Sequence, residues 1–255
     1  MMPLKSLWIG TSWKMNKGPA AAREAAEQIA SIAVPSSVTP FVIPPFTSLE
    51  MVASRLADTR WSVGAQNMHW EDEGAWTGEI SPHMVRECGA DIVELGHSER
   101  REHFGETDIT VNLKVKAAIR YALRPLICIG DSAEEYEFGV THETLARQTK
   151  MALHGLTPDQ IGTVLLAYEP VWAIGAKGRA AEPAFVGTAH TRLRHVLAEL
   201  VGETTARRVP ILYGGSVSLE NAARYTALAD VDGVFIGRSA WDPSGLAAII
   251  RSVVS

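Results

Sequence analysis

A cation, an imidazole, a carboxylate and two glycine-rich turns recur at one kind of place in this 255-residue chain, just after a short apolar run. Lys14 follows Leu7–Thr11, and Gly96-His97-Ser98-Glu99-Arg100-Arg101 follows Asp91–Leu95. Glu169 follows Thr163–Tyr168, Gly214-Gly215-Ser216 follows Val209–Tyr213, and Gly237-Arg238-Ser239 follows Asp232–Ile236. A carboxylate and an imidazole can move protons between adjacent carbons and oxygens. A lysine can stabilise the negative charge of a forming enediolate. Glycines let backbone N–H groups approach a phosphate, and a helix predicted to start at Ser239 would aim its positive end there. Taken singly, each has a plainer explanation. Lys14 could snorkel at the surface, His97 could cap a helix beginning at Ser98, and Glu169 before Pro170 or Gly214-Gly215 could sit in ordinary turns. Only their meeting in space would make a site.

The elements that must bring them together are legible as short Val/Ile/Leu-rich runs alternating with longer amphipathic ones. Besides the runs above, strands are expected at Phe41–Pro44, Trp61–Ala65 and Pro125–Ile129. They lack clean polar alternation, as strands covered on both faces do. Three- and four-residue apolar spacings predict helices over Ala20–Ala33, Leu113–Tyr121 and Ala184–Leu200, and Pro19 suits a first helical turn. Eight strand–helix units without a long polar linker predict an α/β fold, a (β/α)8 barrel forming one domain over residues 1–255. An open doubly wound sheet would need a glycine-rich fingerprint after its first strand, and none follows Leu7–Thr11. In a parallel barrel all strands end on one face, so the residues above would share one mouth.

Composition narrows the function. The formal net charge is −5 and no basic run offsets it, so no nucleic-acid partner is expected. No apolar stretch reaches membrane-span length, and the segment before Leu7 is too short for a signal peptide. The two cysteines, Cys88 and Cys128, make neither a disulfide framework nor a zinc pattern, and both are expected as reduced core residues in a cytoplasmic protein. The eight histidines show no H-E-x-x-H, and His190 and His195 do not share a helical face, so no metal is expected. With no redox motif either, a cofactor-free aldose–ketose isomerase of a small sugar phosphate fits the residues. The connection Gln66–Pro82 is long and carries Trp70 and Trp76 among glycines and acids. Aromatics in a protruding loop point to burial in a partner chain, unless the loop folds back on its own barrel.

W-K-M-N at 13 to 16, G-A-W-T-G-E at 74 to 79, L-G-H-S-E-R-R at 95 to 101, C-I-G at 128 to 130, A-Y-E-P-V-W-A-I-G at 167 to 175 and Y-G-G-S-V at 213 to 217 together resemble the triosephosphate isomerase family. The likeness runs over essentially the whole chain and implies a TIM barrel. It also implies that Glu169 is the base taking a carbon-bound proton, and that His97 is a neutral electrophile on the carbonyl. Lys14 would hold the anionic substrate, with Glu99 orienting it. Gly175, Ser216, Gly237 and Arg238 would bind phosphate beside Tyr213, Gly214 and Gly215, and Pro170–Gly175 would begin a lid. The loop 66–82 with Thr77 would enter a second copy near Lys14, giving a homodimer.

Three departures stand out against that resemblance. Ser12 stands where the family has an asparagine that bonds a substrate oxygen. Arg238 replaces the second of two glycines and would be strained if that position needed positive φ. The lid tip Ala176-Lys177-Gly178-Arg179 breaks the usual order. Changes around the substrate with the acid–base residues retained suggest a larger substrate and the same chemistry. T-S-W-K-M-N, Q-N-M-H-W, G-A-W-T-G-E and F-I-G-R-S-A-W are similar to the tetrulose-phosphate branch of the family, whose members convert L-erythrulose 1-phosphate to D-erythrulose 4-phosphate in erythritol catabolism. Ordinary triosephosphate isomerisation and a catalytically silent phosphate-binding barrel remain the alternatives at this point.

Overall fold

The computed structural model describes residues 6–174, 178 and 180–254. Eight parallel strands close into a barrel in chain order: β1 (Leu7–Ser12), β2 (Val38–Ile43), β3 (Ser62–Ala65), β4 (Ile92–Leu95), β5 (Arg124–Ile129), β6 (Leu165–Tyr168), β7 (Ile211–Tyr213) and β8 (Gly233–Ile236). The expected (β/α)8 barrel is the architecture found, with β1 pairing both β2 and β8 to complete the ring.

Closure explains why the strands read as continuous apolar runs. Successive side chains alternate between barrel interior and helix layer, and both are dry. In β4, Ile92 packs inward with Phe41, Ile43, Leu126 and Phe235, while Val93 and Leu95 face the helices. In β5, Leu126 and Cys128 point in, and Ile127 and Ile129 point out. The same period turns Ser12, Glu94 and Glu169 inward near the strand ends. Cys128 is fully buried, as expected. Cys88 differs, being only partly buried at the end of helix Pro82–Glu87, where it packs on the outer core.

The helices begin where local chemistry permits. Pro19 opens Pro19–Ala30 in the first turn. Thr107 caps Asp108–Arg120 in a reciprocal box with Thr110. The helix predicted from Ala184 runs Pro183–Ala206, with a break at Gly202. The helix predicted to start at Ser239 starts later. Arg238–Ala240 is a 3-10 turn, and the helix proper is Pro243–Ser252. Asp242 accepts from the Ser244 N–H there, and Pro243 takes the first helical position. His190 is buried and His195 exposed, and no helix of the described residues is long and apolar enough to cross a membrane.

Candidate active site

At the C-terminal mouth of the barrel lies a cavity of about 290 Å³ lined by Ser12, Lys14, His97, Glu99, Glu169, Gly214, Gly215, Ser216, Gly237 and Arg238, among others. Residues more than 200 positions apart in the chain therefore meet around one space. Tyr213 is buried at the end of β7 on the helix-facing side of the barrel, its ring 4.3 Å from that of Tyr225. Gly175 and the lid-tip residues Ala176, Lys177 and Arg179 lie outside the described residues.

Lys14 is placed by its neighbours. Trp13 is fully buried and its N–H extends the β1–β2 ladder to the Ile43 carbonyl at 3.0 Å. The backbone then turns sharply at Lys14, whose φ is 53°, a left-handed conformation costing roughly 1–2 kcal/mol for a residue with a Cβ. Gln66 Nε2 donates to the Lys14 carbonyl at 2.9 Å and holds that turn. Lys14 Nζ donates to Glu99 Oε1 at 2.7 Å. Burial pulls the lysine pKa down, but the bond to Glu99 and the charges of Glu169, Glu99 and Glu94 outweigh it, and the net shift is upward. Burial likewise opposes ionisation of Glu99, and Lys14 and His97 overcome it, so its pKa falls. The pair is held as an ion pair.

His97 both caps helix Ser98–His103 and lines the cavity. Its Nδ1 accepts from the Glu99 N–H at 3.1 Å. An Nδ1 used as acceptor leaves the ring proton on Nε2. That Nε2 is 3.4 Å from Glu169 Oε1. Gly96, just before it, has φ 74°, and a Cβ there would press on Arg101, which itself donates to the Gly96 carbonyl at 2.7 Å.

Glu169 extends β6 by one step, its N–H donating to the Ile129 carbonyl at 2.8 Å, and the residue is 2% exposed. Oε2 accepts from the Ser98 N–H at 3.2 Å. Gly214 makes room for it, since a Cβ would lie 3.0 Å from Glu169 Cγ. Beyond it, the buried Asp131 accepts from Tyr168 Oη at 2.9 Å and Trp172 Nε1 at 3.2 Å, which pins the first turn of the 170s segment. Arg238 is exposed at the rim. Among the described residues, non-glycine positive φ occurs at Lys14, Lys17 and Ala122, so the backbone at Arg238 is ordinary.

One residue of the site escaped the sequence reading. Glu94 points into the barrel one layer below the mouth and accepts from Ser12 Oγ at 2.9 Å through Oε2. Burial pushes its carboxyl up to about 7, helped by Glu169 and opposed by His97, Ser12 and Lys14. The signal was available: an acid in the middle of Ile92-Val93-Glu94-Leu95, on the inward register. Among the described residues, Glu94, Cys128 and Glu169 form the one group with ligand atoms all within 4.8 Å, and it belongs to this acid–base centre.

Thr77 is exposed, as is the whole of 71–79, and Trp76 is half-exposed. The loop partly folds on itself, with the His69 ring 4.2 Å from Trp70 and 4.6 Å from Trp76. Met15, next to Lys14, is fully exposed.

Comparison with known proteins agrees with this geometry. The family model described as triosephosphate isomerase matches residues 7–253. A protein of Rhizobium rhizogenes named L-erythrulose-1-phosphate isomerase is 51% identical over 95% of this chain and 93% of its own length. Proteins of the same name from Rhizobium meliloti and Mycolicibacterium smegmatis are 49% and 48% identical, over 99% and 96% of this chain and 98% and 92% of their own.

Proposed function

The chain belongs to the triosephosphate isomerase family and is an isomerase, and from that premise we propose that it interconverts L-erythrulose 1-phosphate and D-erythrulose 4-phosphate. The observation that carries this reading is the short side chain of Ser12 lining the same cavity as Lys14, His97 and Glu169. The acid–base set is that of the three-carbon reaction, and the wall beside it has been cut back. The relatives' names point the same way.

The chemistry follows from the groups present. In L-erythrulose 1-phosphate the carbonyl is C2, and C3 carries a hydrogen, a hydroxyl and the terminal hydroxymethyl. Glu169 takes the C3 proton as the C2 oxygen gains charge. His97 Nε2–H, fixed by the Nδ1 acceptor bond, donates to that oxygen. Lys14, held cationic by Glu99, stabilises the enediolate. His97 Nε2 then takes back a proton from the C3 hydroxyl, Glu169 returns its proton to C2, and the carbonyl stands at C3. Renumbered from the unphosphorylated end, the product is the 4-phosphate. Ser216, Gly237 and Arg238 at the rim hold the phosphate, and excluding water protects an intermediate prone to lose phosphate. The whole reaction needs only this one barrel's residues and no cofactor.

The enzyme works as a homodimer through loop 66–82, whose half-exposed Trp76 offers apolar surface, as the exposed Met15 does next to Lys14. Its setting is a reducing cytoplasm, in the breakdown of erythritol. A paired assay tests the substrate assignment. We expect kcat/KM for L-erythrulose 1-phosphate to exceed that for D-glyceraldehyde 3-phosphate by at least tenfold. Equal or better turnover of the three-carbon substrate rejects it.

A further inference from the structure

Beneath the cavity floor sits a carboxyl group that the mechanism above does not use. Glu94 does not line the cavity, yet it accepts a hydrogen bond from Ser12 Oγ, which does. Groups from the ends of β1, β4, β5 and β6 surround it. His97 Nε2 is 3.9 Å from its Oε1, too far for a hydrogen bond. Lys14 and Glu169 act on it through their charges, and the Cys128 thiol lies within 4.8 Å. Ser12 is therefore its hydrogen-bond partner.

That single bond decides what Ser12 shows to a ligand. A serine hydroxyl has one proton and two lone pairs. With the proton committed to an ionised Glu94, Ser12 faces the cavity as an acceptor only. It then suits a hydroxyl and repels a carbonyl or enediolate oxygen. When Glu94 is protonated, its own O–H can bond Ser12, and the serine proton is free to turn toward the cavity. We propose that Glu94 is a specificity-positioning residue: ionised, it fixes Ser12 as an acceptor that reads the terminal hydroxyl of a four-carbon ketose phosphate. This rests on the four-carbon reading above and deepens it. Because burial holds the Glu94 carboxyl near 7, the recognition strengthens as pH rises through neutrality.

The test compares L-erythrulose 1-phosphate with its 4-deoxy-4-fluoro analogue, whose terminal fluorine can accept but not donate, between pH 6 and pH 8.5. Ionisations that act alike on both substrates, the phosphate's included, cancel from the ratio of kcat/KM values. For the unmodified enzyme we expect the hydroxylated substrate to be favoured about tenfold at pH 8, the worth of one neutral hydrogen bond. The preference should shrink to about twofold or less near pH 6. Glu94→Gln, nearly isosteric, should give a ratio that no longer varies with pH, and Glu94→Leu a ratio near one throughout, with melting curves confirming the fold. If Glu94→Leu fails to fold, Glu94→Gln decides. A pH-dependent ratio surviving in Glu94→Gln, or a flat ratio in the unmodified enzyme, overturns the inference and leaves the four-carbon assignment standing. Absence of tetrulose-phosphate turnover in the unmodified enzyme removes both.

Discussion

At the scale of single residues, the largest expected effect belongs to Glu169. Its carboxylate is buried, faces His97 Nε2 at 3.4 Å, and is parked by the Ser98 N–H. Glu169→Gln keeps the size and the acceptor oxygen but removes the base. Turnover should fall by at least about 10³-fold, since general-base catalysis and its positioning act together. KM should change far less, and the far-UV spectrum should be unaltered. Activity within tenfold of the unmodified enzyme rejects Glu169 as the base. The resemblance pointed to Glu169, His97, Lys14 and Glu99, and the structure gathers all four at one mouth. Glu94 went unread because an acid inside an apolar strand is informative only once its facing is known.

Elements matter here as carriers. Each barrel strand ends at the mouth, so a strand needs only a polar residue at the last rung of its ladder to supply the site, as Glu169 does after β6. The loop 66–82 is a carrier of another kind. Its base is closed by the His69 N–H to the Ile80 carbonyl at 2.8 Å, and Arg120 bonds Asp72 at 2.8 Å, yet Trp76 stays half-exposed. Trp76→Glu should raise the dimer dissociation constant by at least tenfold, read by sedimentation at graded concentrations. Specific activity should fall on dilution, because Met15 and the left-handed turn at Lys14 would lose their cover. Unchanged association rejects the loop as the dimer contact. The sequence marked this loop through its length and aromatics, and it foresaw the eight strands to within a few residues. It misplaced the helix after β8, where Gly237-Arg238-Ser239 reads as a helix start. Pro243 and the Asp242 cap, a few residues on, decide the boundary instead.

For the molecule as a whole, two buried groups set opposing pH dependences. The Glu94 carboxyl is raised by burial from its ordinary 4.5 to about 7. Its contribution favours the fold below pH 4.5 and is lost as pH rises through 7. His190 lies between the Tyr168 and Tyr213 rings, with Nδ1 3.1 Å from the Asp230 carbonyl. Burial lowers it from 6.5 to about 4, against Asp230 and Asp232 and with Arg194. Its contribution is complete above pH 6.5 and is lost as pH falls through 4. Each amounts to about 3 kcal/mol over its window, so between pH 4.5 and 6.5 the two nearly cancel. Glu94→Gln should therefore lose stability on acidification from pH 7 to 4.5 relative to the unmodified protein, and His190→Gln should gain it. Denaturant midpoints across that range decide, and profiles parallel to the parent's would reject the pair.

Amino-acid order alone determined the barrel and the positions that crown it. Apolar runs, turn glycines and helix starts are local signals, and parallel closure forces every strand end to one face. Tertiary structure decided which groups touch. Lys14 finds Glu99 at a separation of 85 residues, and Ser12 finds Glu94 at 82. Those bonds depend on strand register and on the inward turn of each side chain around a closed ring. No local pattern encodes them, and with them come the ring proton on His97 Nε2, the charge on Lys14 and the face that Ser12 shows to a substrate.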